Sequence, residues 1–235
     1  MKLPNIKHRR TQTASEPDRA QAAYDAYWDR QKQTIISAYV NSLLIACCLI
    51  TGVLEIFGGD AFTGRFALDS GLVAAGRERY RLLTAVFLHA SPTHLFSNMS
   101  VLFFMGAGVE KALGHIKYLV LFLAGGVFGN IVTVLWDVHR GQPTWSIGAS
   151  GAVFAVMGAV AVIYISGKLV DMAGNRHRST GMGVRLILMI LYSLYSGFVQ
   201  PNVNNAAHVG GLVMGVIITT LFVVLGRQIV RWDEL

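Results

Sequence analysis

The segment Ser146–Ala159 has the sequence SIGASGAVFAVMGA. The residues after Ser150 are small or apolar, which is typical of a membrane-spanning helix that packs closely against its neighbours. Ser150 stands where this helix should begin, between Ala149 and Gly151. A hydroxyl at that position can cap its own helix, hydrogen-bond a neighbouring helix or act as a nucleophile. For a single serine in a membrane helix the first two roles are the more common. Whether Ser150 is a nucleophile therefore has to be judged from the other residues of the chain.

The composition is that of a membrane protein. Of the 235 residues, 53% are hydrophobic and 14% are charged, whereas soluble domains carry about 25% charged residues. The apolar residues form six blocks, most of them long enough for a helix to cross a bilayer. The blocks are Thr34–Phe57, Thr93–Leu113, His115–Trp136, Ser150–Gly167, Met182–Val199 and Asn204–Leu225. The sequence therefore predicts an all-α polytopic membrane protein with six transmembrane helices in one domain.

The flanking segments and loops are polar and set the orientation. We predict a cytoplasmic N-terminal tail over residues 1–33, partly disordered and with a short surface helix, a membrane domain over residues 34–226, and a short cytoplasmic tail over residues 227–235. With the N-terminus inside, the inside segments hold 15 Lys and Arg residues and the outside segments hold 5. Because Lys and Arg are enriched in cytoplasmic loops, both termini are predicted to be cytoplasmic.

The basic charge and the cysteines point to no further partner. A net charge of +7 would suggest nucleic acid in a soluble protein. Here the basic residues lie mostly between apolar blocks, where they set topology and contact anionic lipid, so no nucleic acid is expected.

Cys47 and Cys48 are adjacent inside the first block. That spacing gives neither a disulfide framework nor a zinc site, and we interpret both as small hydrophobic residues.

The predicted topology brings polar side chains from three helices to one depth. Helices two, four and six run from outside to inside, so their first residues lie near the outer face. They carry His94 and Asn98, Ser150, and His208, respectively. Polar side chains within spans are costly and usually face the bundle interior or a water-filled cavity. Each also has an ordinary interpretation, because His208 can be a packing residue and His94 and Asn98 can simply hold helices together.

Ser150 and His208 together suggest nucleophilic catalysis. A serine hydroxyl needs an adjacent base, and neutral histidine is the usual one. The two groups must approach to about 2.6–3.2 Å, so helices four and six must lie unusually close. Small residues at four-residue spacing allow such an approach, although they also occur in ordinary helix packing. Helix four carries Gly151, Ala155 and Ala159, and helix six carries Gly211 and Gly215.

An acyl-transfer site also needs donors for the developing oxyanion. Ser150 lies at a helix start, where backbone N–H groups are unpaired. His94 and Asn98 are four residues apart and therefore share one helix face, from which both can donate.

Other membrane chemistries fit the sequence less well. A zinc metalloprotease would carry HExxH, which the sequence lacks, and no metal is expected. An aspartyl intramembrane protease needs two carboxylates within spans, but Glu55, Glu110 and Asp137 all lie near block ends. A transporter would show inverted repeats or helices broken near the midplane, and neither is evident.

With these residues identified, the sequence resembles the rhomboid intramembrane serine proteases over about Thr34–Leu225. GASG at Gly148–Gly151 is similar to the family's GxSG motif. AHVGGLVMG at Ala207–Gly215 resembles its sixth-helix motif, and FLHASPTHLFSNMSVLFFMGAGVEKALG, from Phe87, resembles its second-helix motif. The family often has Trp-Arg in the first loop, where this sequence has Tyr80-Arg81.

The resemblance implies a role for each site residue. Ser150 would be the nucleophile and His208 the general base, acting as a dyad without a third acid. The Ser150 N–H, His94 and Asn98 would hold the oxyanion, and no cofactor would be needed.

Further residues would have structural roles by the same resemblance. Gly211 and Gly215 would be the close-packing pair. In the long gap Gly58–Pro92, predicted to be partly ordered on the membrane surface, Arg81 and His89 would support the loop. Glu110 would brace that first loop from the second helix.

The implied substrate is a transmembrane segment of another protein in the lipid bilayer. That segment must unwind to be cut, because a helix in lipid hides its peptide bonds. We expect helix-weakening or small residues near the cleaved bond and a gate formed by helix five with the loop Gln200–Val203.

Function and location each have an alternative. A catalytically silent rhomboid-like protein would bind membrane clients without cutting them, but it would not need both Ser150 and His208.

A compact six-span chain without a presequence suits a bacterial inner membrane, and a eukaryotic organelle is the alternative. The sequence leaves the oligomeric state open.

Overall fold

A computed structural model describes residues 16–173 and 203–226, together with scattered positions between 188 and 199. The described parts are almost entirely helical, and four of their helices are long and apolar enough to cross a membrane. This confirms the predicted class of helical membrane protein. Most of the predicted fifth helix, Met182–Val199, lies outside the described residues, as do residues 1–15, most of the loop Gln200–Val203 and the tail 227–235.

Between residues 16 and 173 the elements follow one another with short connections, and the last described helix begins at Asn205. The helices are α1 (Glu16–Ser37), α2 (Tyr39–Phe66), α3 (Ser70–Ala74), α4 (Arg81–Thr84), α5 (Pro92–Val101), α6 (Ala107–Leu113), α7 (His115–Arg140), α8 (Ser150–Ala173) and α9 (Asn205–Gly226). A 3-10 turn covers Ala85–Phe87, and a π-helical segment, Leu102–Gly106, joins α5 to α6. Strands β1 (Leu68–Asp69) and β2 (Trp145–Ser146) pair in antiparallel fashion.

The first predicted block differs from the structure mainly at its start. Residues from Thr34 to Ser37 belong to α1, and α2 begins only at Tyr39. At its other end the predicted limit, Phe57, lies two residues before Gly59, whose φ of +56° and ψ of −151° are not helical. Glycine adopts this conformation readily, and here it divides α2 into two helical parts, of which the second runs to Phe66. The apolar pattern therefore ends close to the point where the first part ends.

The second predicted block is helical but not uniform. Between α5 and α6 the chain widens into the π-helical segment, a feature that hydropathy does not reveal. Asn41 of α2 donates a hydrogen bond to the carbonyl of Leu102 at 3.0 Å. A Cβ at Gly106 would lie 2.6 Å from the hydroxyl of Tyr118, so glycine is needed there to admit both polar side chains.

Helices α8 and α9 touch through backbone atoms. A methyl group at Gly211 would overlap the carbonyl of Gly151, and one at Gly215 would overlap the carbonyl of Ala155. Added Cβ atoms at these glycines would lie 3.0 Å or less from the Cα atoms of Gly151 and Ala155. The structure therefore contains the close approach that the small residues allow, and it depends on the missing side chains.

Helix α7 packs against both of these helices through glycines that the sequence analysis did not single out. A Cβ at Gly129 would lie 2.7 Å from the carbonyl oxygen of Ala207 on α9. One at Gly126 would lie 3.3 Å from the Cβ of Ala152 on α8. The buried core centres on α8, which is almost wholly enclosed over its apolar part by side chains of α2, α5, α6 and α7, and α9 adds partly buried side chains to it.

The long loop between α2 and α5 is ordered by Arg81. Its guanidinium donates to the carbonyls of Gly64 and Ala67 at 2.8 and 2.6 Å, and to the carboxylate of Glu78 at 2.6 Å. The hydrogen bond from Arg81 lowers the pKa of the exposed Glu78 carboxyl. The loop also contacts the bundle, since Asn130 of α7 donates to the Leu82 carbonyl at 2.9 Å. Arg81 thus joins three parts of the loop through its hydrogen bonds, and the structural role implied for it by the resemblance stays a prediction.

Glu110 is a correction to the sequence analysis, because its carboxylate does not contact the first loop. It accepts hydrogen bonds from the backbone amides of Val40 and Asn41 at 3.1 and 2.7 Å, and it lies 2.6 Å from Nδ1 of His115. Those amides belong to the first turn of α2, where they have no partner within the helix and where negative charge is favourable. Glu110 therefore caps the start of α2, whereas the loop follows its other end.

Gly211→Ala should destabilise the bundle, because the added methyl would overlap the Gly151 backbone. We expect a loss of about 1–3 kcal/mol in unfolding free energy, as for other overpacked cores, measured by denaturation in detergent micelles. Val213→Ile, which adds one carbon at an exposed position of α9, is the matched control and should be neutral. Equal stability of the two variants would contradict the packing described for α8 and α9.

Candidate active site

Ser150 is the first residue of α8 and lies half-buried at its N-terminus. The first amide that donates along this helix is that of Val153, which bonds to the carbonyl of Ala149 at 2.9 Å. The amides of Ser150, Gly151 and Ala152 precede that bond and so have no acceptor within the helix. The Ser150 hydroxyl therefore lies beside backbone N–H groups that are available to an anion.

A glycine turn brings Ser150 and His94 together. Gly148 has a φ of +147°, which side-chain-bearing residues rarely adopt, and its amide donates to the Ala85 carbonyl at 3.0 Å. A Cβ on Gly148 would lie 2.8 Å from Cε1 of His94 and 3.5 Å from Oγ of Ser150. The imidazole and the hydroxyl thus border the same small space, which only glycine leaves open.

Asn98 faces the interior one turn further along α5 from His94. Its side chain is 6% exposed, and its amide nitrogen has no hydrogen-bond partner in the described part of the chain. An unpaired buried donor is costly and uncommon. A site that stabilises a transient anion needs hydrogen-bond donors that are already in place, and Asn98 offers such a donor on the face of α5 that carries His94.

His89 supports the turn that leads into α5. Its backbone amide donates to both carboxylate oxygens of Glu55, at 3.0 and 3.1 Å, and its ring meets that of His94 edge to face, with centroids 5.4 Å apart. Burial lowers the pKa of His89 to about 4, so the ring is neutral at pH 7. The structural role that the resemblance implies for His89 stays a prediction.

His208 lies near the start of α9, 8% exposed, with its ring stacked on Phe154 of α8. The ring centroids are 4.4 Å apart and the planes differ by 20°. Phe154 is four residues after Ser150, so both project from one face of α8. The stacking therefore brings His208 to the helix face that carries Ser150. Within the described residues no hydrogen bond joins the Ser150 hydroxyl to His208, and such bonds commonly tighten only when substrate binds.

Sequence reasoning missed several residues that hold these groups in place. Glu55, which was considered only as a catalytic carboxylate, fixes the amide of His89. Asn204 caps α9 and bonds Ser146, just before the Ser150 turn. Asparagine immediately before an apolar helix is a recognised cap signal and could have been used. The bond to Ser146 has no counterpart in the sequence pattern.

The fold defines a class: a helical integral membrane protein in which His94 and Ser150 border one space at the start of a buried helix and His208 stacks on the same helix. The family model for the Rhomboid domain matches residues 76–225. The chain belongs to the rhomboid family, which includes intramembrane serine proteases, and the resemblance inferred from its motifs is confirmed.

Relatives occur in bacteria and plants. Rhomboid protease GluP of Bacillus subtilis (strain 168) is 31% identical over 198 residues, which cover 80% of this chain and 36% of that protein. RHOMBOID-like protein 5 of Arabidopsis thaliana is 35% identical, with 63% of this chain and 45% of the relative covered. Rhomboid protease AarA of Providencia stuartii is 30% identical, with 68% and 65% covered. The chain thus spans between about a third and two thirds of the length of these relatives.

Replacing Gly148 by alanine should cost more stability than the same change at Gly141. Both glycines have positive φ, +147° and +64°, but only Gly148 has an imidazole within 3 Å of the added Cβ, whereas Gly141 has open space. Unfolding in detergent would compare the two variants. Equal losses would show that the space between His94 and Ser150 is looser than the structure indicates.

Proposed function

We propose that this chain is an intramembrane serine endopeptidase that cleaves transmembrane segments of other membrane proteins. The observation that carries the proposal is the placement of Ser150 at a helix start, where backbone amides have no acceptor within the helix, with His208 stacked on Phe154 of the same helix face. Family membership supports the same reaction class.

In the proposed reaction Ser150 and His208 act as a dyad. The Ser150 hydroxyl attacks the carbonyl carbon of the scissile peptide bond, and His208 accepts the hydroxyl proton. When the tetrahedral intermediate collapses, His208 gives that proton to the leaving amine, and the acyl group remains on Ser150. Water, deprotonated by His208, then hydrolyses the ester and restores the hydroxyl.

The oxyanion is assigned to three donors: the Ser150 amide, His94 and Asn98. The unpaired amide nitrogen of Asn98 supports this assignment, because the donor is already desolvated and requires no rearrangement when charge develops. The position of the His94 ring beside Gly148 and Ser150 supports it as well. This chemistry needs neither a metal ion nor an organic cofactor.

The proposed topology has six spans with both termini in the cytoplasm. It is supported by the four apolar helices described and by the bias of Lys and Arg toward the inside segments. The site would then open toward the outer face, near the interface, where water can enter. A substrate helix must unwind before its backbone reaches Ser150, so segments with small or helix-weakening residues are the proposed targets.

We propose that the protein is located in a bacterial inner membrane. Its similarity to proteins of two bacteria supports this location.

Active-site labelling tests the nucleophile. A fluorophosphonate should form an adduct on Ser150 of the wild type in liposomes, and both Ser150→Ala and His208→Ala should abolish it, since one lacks the attacking oxygen and the other its base. Peptide mapping by mass spectrometry locates the adduct. If folded wild type remains unlabelled, the chain is a silent client-binding protein. If all three proteins label equally, Ser150 is not the nucleophile.

Cleavage of a model transmembrane substrate tests the oxyanion donors. Asn98→Ala and His94→Ala should each lower kcat by about 10²–10³ with little change in KM, because the donors act on charge that develops in the transition state. Ser97→Ala, which removes an exposed hydroxyl on the same helix, is the control and should cleave like the wild type. If kcat is unchanged in both variants, Asn98 and His94 do not stabilise the oxyanion and only pack between helices.

A further inference from the structure

Asn204 precedes α9 and caps it twice. Its side-chain oxygen accepts a hydrogen bond from the amide of Ala207 at 3.0 Å, and its backbone carbonyl accepts one from the amide of His208 at 3.3 Å. Both amides belong to the first turn of the helix, where no intrahelical carbonyl is available. Asn204 therefore determines where α9 begins and how the turn that carries His208 is oriented.

The amide nitrogen of the same side chain makes contacts with two other elements. It donates to Oγ of Ser146 on β2 at 2.7 Å and to Oγ1 of Thr133 on α7 at 2.9 Å. Thr133 is buried, and its hydroxyl lies 3.0 Å from the Gly129 carbonyl. One half-buried side chain thus joins α9, α7 and the strand before α8.

The bond between Asn204 and Ser146 joins the segment that leads into α9 to the segment that leads into α8, at corresponding positions of each. Ser146 lies four residues before Ser150, and Asn204 lies four residues before His208. The segment between Ser146 and Ser150 is itself fixed, because β2 pairs with β1 and the Gly148 amide bonds to the Ala85 carbonyl at 3.0 Å. A displacement of α9 along its axis would therefore have to break this bond.

Glycine packing alone does not fix that axial position. The contacts of Gly211 and Gly215 hold the two helices close, but van der Waals contacts are individually weak, and they are not directional as a hydrogen bond is. A slide by a single residue is about 1.5 Å, whereas a serine–histidine hydrogen bond needs about 2.6–3.2 Å between its heavy atoms. A directional hydrogen bond at the start of α9 prevents α9 from sliding along its axis against α8.

We propose that Asn204 is a positioning residue that sets the depth of His208 relative to Ser150 through its hydrogen bond to Ser146. The inference rests on the proposed dyad chemistry. Asn204 touches neither the substrate nor the reacting atoms, so its effect is on the geometry of the pair and on turnover.

Three substitutions at position 204 separate this role from that of a simple helix cap. Asn204→Ser keeps a good cap, but its side chain is too short to reach Ser146 and Thr133. Asn204→Asp keeps the cap, and its carboxylate can accept hydrogen bonds from both hydroxyls. Asn204→Ala loses the cap and the bond.

The kinetics of substrate cleavage in liposomes then decide the role. We expect Asn204→Ser to unfold at the wild-type temperature but to lose about 10–100-fold in kcat with unchanged KM, because a misplacement of about 1 Å can have this effect. The rate of fluorophosphonate labelling should fall by the same factor. Asn204→Asp should retain most of the turnover. A serine variant with wild-type kcat, or one that changes only KM, would overturn the proposal.

A double-mutant cycle tests the partner. Ser146→Ala should lower kcat, and the combined variant should lose no more than Asn204→Ser alone, since both changes remove the bond between Asn204 and Ser146. Ser42→Ala, which removes an exposed hydroxyl of α2 bonded to the Ala38 carbonyl, is the control and should be neutral. Additive losses would overturn the proposal. If Asn204→Ser proves unstable, Ser146→Ala decides alone, because wild-type kcat in that variant would overturn the proposal.

Failure of the proposed function gives a different result. If the wild type is not labelled, or if Ser150→Ala is labelled like the wild type, the dyad is wrong and the positioning role falls with it. If labelling requires Ser150 but proceeds equally fast in Asn204→Ser, the dyad stands and only the positioning role is rejected.

Discussion

The backbone contact between α8 and α9 is the constraint on which the rest of the structure depends. In lipid, helices gain little from burying apolar side chains, so their association relies on close van der Waals packing and on hydrogen bonds. Gly211 against Gly151 and Gly215 against Ala155 provide that packing. The contact accompanies the stacking of His208 on Phe154, on the face of α8 that begins with Ser150, and side chains at Gly211 and Gly215 would prevent this approach.

Polar groups divide into two sets in this bundle. Those that hold the frame are paired, as with Glu110 at the start of α2, Arg81 in the loop and Asn130 against the Leu82 carbonyl. At the candidate site, by contrast, buried nitrogens of His89, Asn98 and His208 have no partner among the described residues. The hydroxyl of Thr219, further along α9, has no partner among these residues either. Unpaired polar atoms are unfavourable in a membrane interior, and those of Asn98 and His208 fit a site kept ready for a ligand or transition state.

The sequence was sufficient for the class, most helices and the candidate residues. Apolar length predicts α7, α8 and α9 well, and the spacing of small residues anticipated the contact at Gly211. It failed where one residue or one long-range hydrogen bond decides the outcome. A second helical part of α2 follows the interruption at Gly59, and Glu110 caps a helix 69 residues away in sequence rather than bracing the loop. Motif matching identifies such a residue but not its partner, which depends on how the helices are arranged.

The central claim is that Ser150, His208 and the nearby donors form one reactive site. An experimental structure of the wild type after reaction with a fluorophosphonate would test it most directly. The account predicts phosphorus bonded to Oγ of Ser150, with one phosphoryl oxygen about 2.7–3.1 Å from the Ser150 amide nitrogen and from the side-chain nitrogen of Asn98. The His208 ring should still stack on Phe154 beside the adduct. An adduct on another side chain, or a phosphoryl oxygen directed away from these donors, would contradict the account.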